Sequence, residues 1–270
     1  MRFLKGHGTE NDFVILPDHD GELELPASLV ATICDRRAGI GADGVLRVVR
    51  TKLSPEVSDL AGEAEWFMDY RNADGHAAEM CGNGTRVFAR YLVDAGLAEP
   101  GEFAVATRGG VRRVTLDVSG DVTVDMGLPV VHGRSVATVA GQEFEGLHID
   151  MGNPHLACAT GEPVVQLDLS HPPAFDTSIF PGGVNIELFN PVGPARAVMR
   201  VYERGSAETR SCGTGAVATA VAAAALSGDI TGTWTVEVPG GTLTVTLGVE
   251  TSYLAGPAVI VAAGELMLAE

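Results

Sequence analysis

Short runs rich in Val, Thr and Ile, each closed by Gly, Pro or Asp, recur along the chain and read as strands. In the first half they fall at 13–16, 45–49, 65–70, 110–116 and 122–126; in the second, at 147–151, 184–189, 198–203, 234–238, 243–247 and 259–262. Pro239, Gly240 and Gly241 supply the turn of a hairpin within 235–245. Helical spacing occurs three times. Residues 27–34 place Leu29, Val30 and Ile33 on one face, and 85–95 place Val87, Phe88, Tyr91 and Leu92 on another, stopping near Gly96. Residues 214–226 are almost wholly Ala and Val, apolar on every side, which predicts a helix enclosed by sheet.

Two segments repeat one another. The first runs Tyr70-Arg-Asn-Ala-Asp-Gly-His-Ala-Ala-Glu-Met-Cys-Gly-Asn-Gly-Thr-Arg; the second runs Tyr202-Glu-Arg-Gly-Ser-Ala-Glu-Thr-Arg-Ser-Cys-Gly-Thr-Gly-Ala-Val. Each reads strand, polar loop, Cys-Gly-x-Gly, helix. Their cysteines are 131 residues apart, close to half of the 270-residue chain. A fainter echo pairs Gly8-Thr-Glu-Asn-Asp-Phe with Met151-Gly-Asn-Pro-His. Two similar domains are expected, 1–126 and 127–258, facing each other across a cleft.

Composition narrows the function. A net charge of −17 argues against nucleic acid or an anionic membrane, because both need clustered Lys and Arg. No apolar run is long enough to span a bilayer, and the N-terminus carries no signal-peptide pattern, so the expected location is the cytoplasm. The four cysteines, at 34, 81, 158 and 212, are too few and too scattered for a disulfide framework. CxxC, HExxH and GxxxxGK[ST] motifs are absent, and neither a metal nor a cofactor is expected.

Cys34 and Cys158 lie in apolar segments and read as core residues. Cys81 and Cys212 lie in polar, Gly-rich stretches that open helices. A helix N-terminus offers uncovered N–H groups and a positive dipole end, so it favours an anion, either a thiolate or a substrate carboxylate. An ordinary thiol of pKa about 8.5 is only about 3% thiolate at pH 7, and the helix end is expected to lower that pKa. Two such thiols close together resist double ionisation, leaving one thiolate and one thiol. A small molecule held between them meets a base on one face and an acid on the other. That arrangement inverts a C–H centre next to a carboxylate, with the helix ends stabilising the charge that develops.

These residues resemble a known family. Asn11-Asp-Phe-Val, Gly39-Ile-Gly-Ala-Asp-Gly, Asn72-Ala-Asp-Gly, Met80-Cys-Gly-Asn-Gly-Thr-Arg, Met151-Gly-Asn-Pro-His, Gly183-Val-Asn185, Tyr202-Glu-Arg-Gly and Ser211-Cys-Gly-Thr-Gly occur in the order found in diaminopimelate epimerases. The resemblance covers nearly the whole chain. It implies cofactor-independent interconversion of LL- and meso-2,6-diaminopimelate, in lysine and peptidoglycan-precursor synthesis. Cys81 and Cys212 would be the two acid/base groups, with His155 and Glu203 helping to polarise or deprotonate them. Asn11, Asn72, Asn153, Asn185, Glu203 and Arg204 would bind substrate, largely at its distal amino-acid end. Gly82, Asn83, Gly213 and Thr214 would form the amide nests for the reacting carboxylate. One departure stands out: position 44 is Gly, where many relatives carry a glutamine that touches substrate.

The expected fold is α/β (α+β), with two pseudo-symmetric domains. Each is a mostly antiparallel, barrel-like sheet around a central helix, with the active site in the cleft. The resemblance also implies a homodimer and a last strand, about 259–270, that returns to the first domain. Two alternatives stay open. One is a proline-type racemase or epimerase using the same two-cysteine chemistry. The other is a non-catalytic amino-acid-binding or redox-sensing protein.

Overall fold

The computed structural model describes residues 1–117 and 120–267, arranged as two compact units. One unit comprises Met1–Val124 and the stretch from Pro257 onward; the other is Asp125–Gly256. Residues 268–270 of the expected returning segment lie outside the described residues.

The first unit contains β1 (Arg2–Gly8), β2 (Asn11–Pro17), α1 (Ala27–Cys34), β3 (Gly44–Arg50), β4 (Trp66–Asn72), α2 (Gly82–Asp94), β5 (Gly101–Thr107), β6 (Gly110–Leu116) and most of β7 (Asp121–Gly127). The second contains β8 (Val130–Val139), β9 (Gln142–Asp150), β10 (Pro154–Ala159), β11 (Ala174–Phe175), β12 (Asn185–Gly193), β13 (Arg196–Glu203), β14 (Ala207–Thr209), α3 (Gly213–Ser227), β15 (Gly232–Val238), β16 (Gly241–Leu247) and most of β17 (Ser252–Pro257). A final strand, β18 (Val259–Glu265), pairs antiparallel with β1 and so belongs to the first unit.

The two sheets share one pairing scheme. From β18 through β1, β2, β3, β4, β5, β6 and β7, successive pairs are antiparallel, antiparallel, parallel, antiparallel, parallel, antiparallel and antiparallel. From β8 through β9, β10, β12, β13, β15 and β16 to β17 the same series recurs. β18 therefore holds in its sheet the place that β8 holds in the other. Mixed α/β architecture with a repeated, mostly antiparallel sheet is as expected.

Each sheet wraps one helix. α2 touches β1, β2, β3, β4, β6 and β18; α3 touches β9, β10, β12, β13, β15 and β16. The Ala/Val composition of α3 lets strands approach on all sides, and eleven of its residues from Gly213 to Ala224 are buried. Gly228 ends it in a left-handed conformation that suits glycine. The expected start of the second helix at 85 is corrected: α2 begins at Gly82, because the Cys81 sulfur accepts from the Gly84 N–H and sets the first turn over the three preceding residues. Among the described residues no helix is long and apolar enough to cross a membrane.

Candidate active site

Cys81 and Cys212 are the N-caps of α2 and α3. Both backbones are extended, and each sulfur accepts a hydrogen bond at 3.4 Å, from the N–H of Gly84 and of Gly215 respectively. The second glycine of each Cys-Gly-x-Gly thus donates to its own thiol. In α3 the first-turn N–H groups of Gly213 and Thr214 have no carbonyl within the helix to donate to. Gly82 and Asn83 hold the same two positions in α2.

In the first unit the Asn11 carboxamide joins two groups around Cys81. Its Oδ1 lies 3.8 Å from the Cys81 sulfur and accepts from Asn83 Nδ2 at 3.2 Å. Its Nδ2 donates to Asp43 Oδ2 at 2.7 Å. Both halves of that amide are thus used inside the protein. Asn72 ends β4 with its Oδ1 accepting from the Tyr70 hydroxyl at 2.8 Å. In α2, Arg86 is fully buried, with no hydrogen-bond partner for Nε or Nη1 among the described residues.

The second unit gathers Asn153, His155, Asn185, Glu203, Arg204, Cys212, Gly213 and Thr214. Glu203 closes β13 and accepts from the Thr209 hydroxyl. Burial pushes its carboxyl up to about 7, against hydrogen bonds from Thr209 and Cys212. His155 is completely buried, with Nε2 3.2 Å from Asn153 Oδ1. Asn185 accepts from the Arg204 backbone N–H at 2.9 Å and donates to the Pro154 carbonyl at 3.3 Å. Its amide is committed to shaping the strand ends, like that of Asn11. The Arg204 side chain is exposed and reaches the Gly182 carbonyl at 3.3 Å.

The expected lowering of the thiol pKa is reversed at Cys212. Burial, then the nearby Glu203 and Glu187 carboxylates, push it well above the ordinary value and outweigh the Thr214 hydroxyl and Gly215 N–H. A helix end favours an anion only where the surroundings leave room for the charge. Cys34 and Cys158 pack in the cores of their units, and burial pushes their thiols up to about 11 and about 12.

Sequence reasoning missed Glu187. It lies in β12 with no solvent exposure, its Oε1 2.7 Å from His155 Nδ1 and its Oε2 without a hydrogen-bond partner among the described residues. A single charge inside the apolar run 184–189 was the available signal. Its strand register gives its counterpart in the other sheet. His155 pairs with Asn185 across β10 and β12 as Phe13 pairs with Gly44 across β2 and β3, so Glu187 corresponds to Leu46 and His155 to Phe13. An apolar pair under the first thiol's helix is replaced by an ionisable pair under the second's.

Comparison with known proteins identifies the family. Residues 3–132 and 147–261 match the family model described as diaminopimelate epimerase. The diaminopimelate epimerase of Thermobifida fusca is 58% identical, over 99% of this chain and 98% of that protein. That of Streptomyces coelicolor is 53% identical, over 98% of this chain and 95% of that protein. Among solved structures, a probable proline racemase from Agrobacterium radiobacter superposes with a TM-score of 0.69 at 14% identity, covering 99% of this chain and 93% of that one, a likeness of fold. By its matched residues and its relatives alike, the chain belongs to the diaminopimelate epimerase family.

Proposed function

We propose that this protein interconverts LL- and meso-2,6-diaminopimelate by passing one α-proton between two thiols, Cys81 and Cys212, with no cofactor. The observation that supports this reading most directly is the placement of one cysteine as the N-cap of the central helix in each of two sheets with the same pairing scheme.

Cys212 starts as the acid, since its burial, and then the neighbouring Glu203 and Glu187, oppose its ionisation. Cys81 then starts as the thiolate and takes the α-proton from one face of the substrate carbon. The electron pair spreads onto the adjoining carboxylate, which the first-turn amides of Gly82, Asn83, Gly213 and Thr214 receive. The Cys212 S–H delivers its proton to the other face, inverting the centre and leaving Cys81 protonated and Cys212 ionised. The reverse reaction exchanges these roles.

The distal amino-acid end needs partners for a carboxylate and an ammonium. Arg204 and the Nδ2 groups of Asn72 and Asn153 suit the carboxylate, and Glu203 suits the ammonium. Asn11 and Asn185 act by holding the backbone and neighbouring amides in place. His155 orients Asn153. A site with both sets of partners rejects amino acids lacking a second polar end, because the partners would stay unpaired. We place the protein in the cytoplasm as a homodimer, in keeping with the family resemblance.

The test is LL-diaminopimelate in D2O without added cofactor. The expected result is deuterium at one α-carbon as the meso isomer forms, with net epimerisation lost in Cys81→Ala and in Cys212→Ala. Near-normal turnover by Cys81→Ala would overturn the two-thiol scheme. Strong competition by proline analogues would favour the proline-type reading instead.

A further inference from the structure

We propose that Tyr70 is a positioning residue: it holds the Asn72 carboxamide so that only its NH2 group is presented, making Asn72 a donor reserved for the substrate's distal carboxylate. This rests on the reading of Asn72 as a substrate contact.

The arrangement begins in the strand pattern. Tyr70 and Asn72 are two residues apart in β4 and so point to the same face of the sheet. Directly across from Asn72, in β3, stands Gly44. A Cβ at position 44 would lie 2.5 Å from the Arg71 carbonyl oxygen and 2.7 Å from Tyr70 Cε2. The tyrosine ring therefore fills the space that a side chain at position 44 would need. The ring is buried and stands edge-on to the fully buried Phe13, with centroids 5.9 Å apart and planes at 79°. A rigid ring in a fixed slot carries its hydroxyl to one place, 2.8 Å from Asn72 Oδ1.

Asn72 is otherwise anchored by its main chain. Its N–H donates to the His76 carbonyl and its own carbonyl accepts from Gly75, each at 2.9 Å. The remaining freedom is rotation of the amide, and the tyrosine removes it. A carboxamide offers an acceptor at one end and two donors at the other. With the oxygen engaged, the nitrogen faces outward, and it recognises a carboxylate and not an ammonium. Asn153 shows the same polarity in the other unit, its Oδ1 engaged by buried His155. By contrast, Asn11 and Asn185 have both ends engaged and no such choice to present.

A double-mutant cycle on the KM for LL-diaminopimelate tests the assignment, using Tyr70→Phe, Asn72→Ala and the pair. Phenylalanine keeps the ring and its packing and removes only the hydroxyl. Tyr70→Phe is expected to raise KM about fivefold, the size of one neutral hydrogen bond, with kcat falling by much less. Asn72→Ala should raise KM at least as much. In the Asn72→Ala background, Tyr70→Phe should add nothing. If Tyr70→Phe leaves KM unchanged while Asn72→Ala raises it, the positioning role is wrong and the substrate contact stands. If Tyr70→Phe raises KM equally in both backgrounds, the tyrosine acts through packing alone and the proposal falls. If Asn72→Ala leaves KM unchanged, Asn72 is not a substrate contact, and both readings fail together.

Discussion

Glu187 Oε1 lies 2.7 Å from His155 Nδ1, and neither side chain has any solvent exposure. A buried carboxylate with one unpartnered oxygen is costly to keep. Its counterpart Leu46 shows that the fold does not require it. Burial, then Glu203 and Glu187, make Cys212 harder to ionise. The two halves share a pairing scheme and differ at this position, where one holds a carboxylate and the other a leucine.

Glu187→Gln should move Cys212 toward easier ionisation. The carboxylate raises the thiol pKa, so removing its charge while keeping its shape lowers it. Site-resolved alkylation with iodoacetamide, read by peptide mass spectrometry across pH, should show Cys212 reacting from a lower pH in the variant. An unchanged or upward-moving profile would refute the electrostatic role.

Glu203 makes a pH-dependent contribution to stability. Its carboxyl is raised from 4.5 to about 7 in the folded protein, so the folded state binds more protons than the unfolded chain between those values. Stability therefore falls as pH climbs through that window and levels off above it. Glu203→Gln cannot titrate there, so its Tm should change less between pH 4.5 and 7 than that of the parent. Glu187, also raised, slopes the same way in both proteins. Parallel curves would contradict the assignment.

The second glycines of the two cysteine motifs should differ in tolerance. A Cβ on Gly215 would sit 2.6 Å from Glu187 Oε1, whereas one on Gly84 meets nothing nearer than Leu46 Cδ2 at 3.3 Å. The carboxylate is held by His155 and cannot easily retreat, while the leucine tip can. Gly215→Ala should cost about 1–3 kcal/mol, as overpacking does, and Gly84→Ala should cost less. Denaturant unfolding of the two variants decides it.

Cys34→Ala and Cys158→Ala should lower stability and leave turnover intact. Both sulfurs are buried among apolar side chains, so each truncation loses packing, about 1 kcal/mol for a group this small. Loss of epimerisation in either variant, with the fold retained, would show a chemical role for these thiols.

Much of this was legible in the sequence because it rests on local pattern. The short run at 110–116, with its Val and Thr and its bounding Gly and Asp, marked a strand with those bounds, and the Ala/Val run before Gly228 marked a helix enclosed by strands. The cysteine motifs marked their helix starts because glycine is tolerated there for a geometric reason. What escaped notice depends on pairing over distance. β1, β5 and β10 carry mixed side chains whose strand character is fixed by neighbours far along the chain. Glu187 was hidden for a related reason: its partner in the β10–β12 register is Ala157, and His155, two residues earlier in β10 and so on the same face, reaches it diagonally. The Cys212 pKa was misjudged because the helix end was weighed without the burial of the thiol and the carboxylates near it.

The pairing of β18 with β1 also bears on the order of assembly. On a ribosome, the residues that complete the first sheet emerge after all of the second sheet has been made. The later-made unit, continuous in sequence, is therefore free to close first, while the earlier one waits with the β1 edge unprotected. A nascent chain stalled before Val259 carries that open edge, a template for pairing with other chains.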